Sequence, residues 1–60
     1  MEKIFNITKI KVGETVHHMV FGEGKVLLRN DRFSILIKFR KGSIKVITKN
    51  DEKYLQYHTH

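Results

Sequence analysis

The side chains best equipped for chemistry are four histidines, His17 and His18 side by side and His58 and His60 near the end of the chain. Imidazole is a common zinc ligand, but a site needs at least a third donor, and the chain contains no cysteine to supply one. Lack of cysteine also removes disulfides, iron–sulfur clusters and thiol nucleophiles. The acids Glu2, Glu14, Glu23, Asp31, Asp51 and Glu52 include no spaced pair suited to acid–base work, and Ser34 and Ser43 have no evident activating base. Gly22-Glu23-Gly24 is followed by neither a long helix nor a Lys-Ser/Thr pair, so it does not read as a phosphate cradle. A non-catalytic protein without cofactor or metal is the expectation.

Binding is better supported than catalysis. Lys and Arg number 12 against 6 Asp and Glu, a net charge of +6 that favours polyanions or acidic protein surfaces. No apolar run approaches the ~20 residues that span a bilayer. The start, Met1-Glu2-Lys3-Ile4-Phe5-Asn6, lacks the apolar core of a signal peptide, so a cytoplasmic location is expected.

The elements that would position these groups are short strands in a single domain of 60 residues. In Arg32–Arg40, Phe33, Ile35, Ile37 and Phe39 alternate with Ser34, Leu36, Lys38 and Arg40, the pattern of a half-buried strand. Lys41-Gly42 reads as a tight turn into a second β-branched run, Ser43–Thr48, making a hairpin. Lys25–Arg29 is a further strand closed by Asn30-Asp31, and Glu14–His18 a short one before it. Helix is expected only near Asn50–Leu55, with Asn50 or Asp51 as its cap. Residues 1–11 fit neither period and read as an N-terminal extension forming an edge strand; 12–57 read as the barrel and 58–60 as a frayed tail.

The run Val12-Gly13-Glu14-Thr15-Val16-His17-His18-Met19-Val20-Phe21-Gly22-Glu23-Gly24-Lys25-Val26 resembles the start of the Tudor-like domain that ends UvrD/PcrA-type DNA helicases. Gly13, Val16, His18, Phe21, Gly22, Glu23, Gly24 and Val26 fall on the positions of that family's motif, and Ile37-Lys38-Phe39, Ile44–Ile47 and Tyr54-Leu55 resemble its later elements. A more distant likeness is to the polymerase-interacting module of CarD and the transcription-repair coupling factor. The resemblance spans about residues 11–57 and implies an all-β fold, a small SH3/Tudor-like barrel of about five short antiparallel strands. It also implies contact with RNA polymerase, although these 60 residues include no helicase body. Within such a barrel Phe21 is expected to plug one end, His18 to fix the loop between the first two strands by a hydrogen bond, and His17 to face solvent.

Alternation then places Lys25, Leu27 and Arg29 on an outer face with Leu36, Lys38 and Arg40, and with Lys45, Ile47 and Lys49 if Ile44 and Val46 face inward. The partner-binding residues expected are Lys25, Arg29, Arg32, Leu36, Lys38, Arg40, Lys45 and Ile47. Either the N-terminal segment with Phe5 and Ile7 folds over this basic and apolar face or a partner does; the covering segment is the simpler expectation. Three functions remain open. One is a protein-binding module contacting RNA polymerase or another repair or transcription factor. Another is weak, sequence-tolerant nucleic-acid binding by the basic face, for which Tyr54 and Tyr57 are the only expected stacking residues. The last is a small inhibitor or adaptor encoded by a mobile element. A monomer and a dimer paired through edge strands are both compatible with the pattern.

Overall fold

A computed structural model describes residues 5–58. Five strands form one antiparallel sheet: β1 (Thr15–His18), β2 (Gly22–Asp31), β3 (Ser34–Phe39), β4 (Ile44–Thr48) and β5 (Leu55–Tyr57). Their order is β4-β3-β2-β1-β5, and a 3-10 segment, Lys49–Tyr54, leads into the last strand. This is the small all-β fold of five short antiparallel strands that the sequence implies. The cap expected from Asn50 or Asp51 is absent: the segment's N-cap position is Thr48, and no side chain caps it.

The core forms where the alternation predicts it. Ile35, Ile37 and Phe39 of β3 are buried together with Val16, Val26, Ile47 and Leu55. Phe33, expected as the first inward residue of β3, instead sits in the Arg32-Phe33 turn and is exposed. The turn lies two residues later than Asn30-Asp31 because Asp31 still pairs with Ser34, and the Asp31 carboxylate accepts the Phe33 N–H at 2.8 Å. That bond within the turn also holds the Asp31 carboxyl below its ordinary pKa.

Two single-residue irregularities decide which side chains face outward. Across β2 and β3, Val26 pairs with Ile37 but Leu28 pairs with Leu36, so Leu27 is an extra residue on β2. Such a bulge shifts the phase of everything after it. Leu28 therefore joins the outer face, and Arg29, paired with Ile35, turns inward, contrary to the strict alternation.

The β3–β4 hairpin differs in the same way. A two-residue Lys41-Gly42 turn would set Arg40 opposite Ser43 and send Ile44 and Val46 into the core. The connection instead has three residues, Arg40 to Gly42: Phe39 N–H donates to Ser43 O at 2.8 Å and Gly42 N–H to Phe39 O at 2.9 Å. Gly42 supplies the left-handed backbone, φ 108°, that closes a three-residue loop. One added residue exchanges the two faces of β4. Lys38 now pairs with Ile44 and Leu36 with Val46 on the outside, while Ile47 lies opposite Ile35 in the core, 3% exposed.

Residues 5–11 form no strand, so the edge strand expected there is absent among the described residues; residues 1–4 lie outside them, as do 59–60 of the expected tail. A turn replaces it. Asn6 Oδ1 accepts the Thr8 N–H at 3.0 Å and the Thr8 hydroxyl at 2.7 Å, and Lys9 N–H donates to Asn6 O. The turn lets Phe5, Ile7 and Ile10 all enter the core, a spacing that neither a strand nor a helix would give. Phe5 packs its ring 4.9 Å from that of Tyr57.

Candidate binding face

The loop between β1 and β2 is built around His18. Its side chain is 3% exposed, and Nδ1 accepts the Val20 and Phe21 N–H groups at 3.0 and 3.2 Å. The ring stacks 4.5 Å from Phe21 and 5.8 Å from Tyr54, with Phe39 edge-on at 5.9 Å. Burial lowers the imidazole pKa, opposed by Asp51 and aided by His17, and an acceptor Nδ1 requires the neutral ring. The loop-fixing role expected of His18 is therefore present in the geometry.

Phe21 closes one end of the core against Phe39, ring centroids 5.3 Å apart, and Lys45 lays its ammonium 4.7 Å from the centre of the Phe21 ring. Gly24 is buried because β2 passes directly over the core there: a Cβ would lie 2.5 Å from Ile37 Cγ2 and 2.8 Å from Phe39 Cδ1. Glu23 lies beside Arg40, its carboxylate 4.0 Å from the guanidinium and 3.9 Å from His58, and its carbonyl accepts the Arg40 N–H. Val16 and Val26 belong to the core, while Gly13 and Gly22 stand at turns. The matched motif thus builds the loop and the core.

Two of the expected contact residues are removed from the surface set. Ile47 is core, for the hairpin reason given above. Arg29 is a structural clamp: its Nη2 donates to Ile7 O at 2.7 Å and Ile10 O at 2.8 Å, and its Nη1 to Asp31 O and Arg32 O, both at 3.2 Å. The bulge at Leu27 aims it at the N-terminal segment, whose carbonyls no strand ladder satisfies. Arg32 remains exposed in the β2–β3 turn, its guanidinium 5.5 Å from the centre of the Phe33 ring. Lys45 is exposed at the end of the barrel rather than on the outer face, and Lys49 faces Glu52 at 3.5 Å.

What remains is a compact outer face on β2, β3 and β4. One row across the strands is apolar: Leu28, Leu36 and Val46 are successive cross-strand partners. The next row is Lys25, Lys38 and Ile44, and Arg40 follows in the loop after β3, beside Glu23. Leu28 is 46% exposed, Val46 53% and Ile44 54%, with Leu36 half-buried between them. A shallow groove at the end of the apolar row is lined by Phe33, Val46, Thr48 and Lys49. Leu28, Phe33, Ile44 and Val46 are the residues that alternation alone missed; an Arg-Lys-Gly connection with glycine third was the available sign of the longer loop.

Among the described residues, 5–11 do not cover this face, contrary to the simpler expectation for Phe5 and Ile7, since Phe5, Ile7 and Ile10 enter the core instead. Lys25 and Lys38 stand directly opposite each other, and neither enters an ion pair among the described residues. Among those residues no three His, Asp or Glu converge on a point that could hold a metal ion, and no helix is long and apolar enough to cross a membrane. The chain matches no protein-family model, and no curated protein or solved structure is significantly similar to it.

Proposed function

We propose that the chain is a non-catalytic binding module whose outer β2-β3-β4 face docks a protein of the transcription or DNA-repair machinery, RNA polymerase first among them. The observation that carries the reading is the uncovered row Leu28–Leu36–Val46 beside Lys25 and Lys38. Apolar area interleaved with charge is the composition of a protein interface, and small monomers seldom leave it bare without use. The choice of polymerase rests on the resemblance of Val12–Val26 to the helicase Tudor-like domain. Immobilised chain incubated with purified RNA polymerase should retain it above the bead background, and a Lys38→Glu/Val46→Asp double variant should not. Equal retention by both, or by neither, overturns the proposal.

A second reading is direct nucleic-acid binding, favoured by the Lys25–Lys38 apposition, which would suit a phosphate. It predicts a bandshift with DNA or RNA that disappears steeply as salt rises. The apolar row at the centre of the face has no role in that reading, so it stands second. A small inhibitor or adaptor would use the same face, and gene neighbourhood discriminates it.

A further inference from the structure

The face carries information about the kind of segment it receives. Like charges placed directly opposite on neighbouring strands are destabilising, and here Lys25 and Lys38 hold that arrangement without an acid in an ion pair with either. The apolar row runs across three strands, about 10 Å at ~4.8 Å per strand. Charge is distributed with a direction: Lys25 and Lys38 stand at one end without an ion pair among the described residues, the apolar row follows, and the Phe33–Val46 groove at the other end has Asp31 and Lys49 in its lining, the lysine already facing Glu52 at 3.5 Å. A second copy of the chain fits poorly, because it would bring another strongly basic surface against this one.

Resting on the protein-binding reading, we infer that the occupant is a short acidic amphipathic segment of the partner. Two or three of its apolar side chains lie along Leu28, Leu36 and Val46, one of them entering the groove beside Phe33. Its carboxylates lie over Lys25 and Lys38 and away from Asp31. Attraction across the lysine row relieves the repulsion that the free protein retains, so the same two residues supply both orientation and selection against basic or neutral segments.

The test uses a fluorescein-labelled 16-residue peptide with leucines on one helical face and glutamates flanking them, a scrambled peptide of identical composition, and a 20-base-pair DNA duplex, each titrated by anisotropy. The amphipathic peptide should bind about tenfold tighter than the scrambled one. Lys38→Glu and Val46→Asp should each weaken it by about fivefold or more. Lys9→Glu, which changes net charge by the same amount, should leave it unchanged. Lys38→Glu sets an opposite charge across from Lys25 and is expected to fold, so it carries the test if Val46→Asp does not. Equal binding of the two peptides, equal weakening by Lys9→Glu, or binding of the duplex but not the peptide overturns the inference. Failure of the peptide while purified RNA polymerase is still retained also overturns it and leaves the protein-binding reading standing. Peptide binding without polymerase retention supports the inference and removes the polymerase.

Discussion

Replacing Arg29 by methionine separates a structural clamp from a contact residue. The two bonds from Nη2 reach partly buried carbonyls of Ile7 and Ile10, whereas the two from Nη1 reach exposed carbonyls that water can satisfy. Hydrogen bonds involving a charged group contribute about 1.5–3 kcal/mol each, so the Nη2 pair supplies roughly 3–6 kcal/mol. Ordering a long arginine side chain costs up to about 2 kcal/mol, and the methionine stem keeps much of the packing. A net loss of about 2 kcal/mol results, against a total stability of about 3–9 kcal/mol for a chain of this size. Thermal unfolding by circular dichroism should show Tm lower by about 8–16 °C. Amide exchange should accelerate in the segment containing Ile7 and Ile10 more than in β3. Arg29→Lys should recover only part of the loss, because an ammonium cannot reproduce the planar fork. Lys41→Met, at an exposed loop position, is the control and should change Tm little. A Tm drop below about 2 °C for Arg29→Met, or full recovery by lysine, would refute the clamp.

Gly24→Ala should destabilise by about 1–3 kcal/mol in urea titration, because the new methyl meets the buried Ile37 and Phe39 side chains; a neutral result would mean that β2 has slack over the core. Stability should fall as pH drops below about 6.5, because His18 binds a proton less readily folded than unfolded, and the slope should end below the folded pKa. His18→Asn keeps an acceptor near the Nδ1 position and removes the titration, so its melting curves should lose that slope; an unchanged slope would assign the effect to other groups. Deleting Lys41 leaves Arg40-Gly42 as a two-residue connection with Phe39 still opposite Ser43, so Ile44 and Val46 stay outward and Ile47 stays in the core, and the variant should keep cooperative melting; loss of cooperativity would show that the hairpin needs the third loop residue to close.

How far the sequence carried depends on where single residues intervene. Ile35, Ile37 and Phe39 were legible because an uninterrupted strand with one buried face shows period two. His18 was legible from its place in a loop-forming motif, and its bonds span only two and three residues. Lys25, Leu36 and Lys38 kept their expected face because they lie before the bulge on β2 or on the regular β3. Arg29 and Ile47 did not, and each failure has a one-residue cause: the extra Leu27, and the third residue in the Arg40–Gly42 loop. Such insertions cost little in sequence signal and reverse every side chain beyond them. The burial of Phe5, Ile7 and Ile10 was hidden for a different reason. Their partner, Arg29, lies 22 and 19 residues away from the carbonyls it holds, a distance that no local pattern reports.

The most direct test of the binding face is lysine footprinting. The chain is acetylated with and without saturating RNA polymerase, and the modification of each lysine is read by mass spectrometry. The account predicts protection of Lys25 and Lys38, with Lys9, Lys11 and Lys53 labelled as in the free protein. Unchanged labelling of Lys25 and Lys38, or protection confined to Lys9, Lys11 and Lys53, would contradict it.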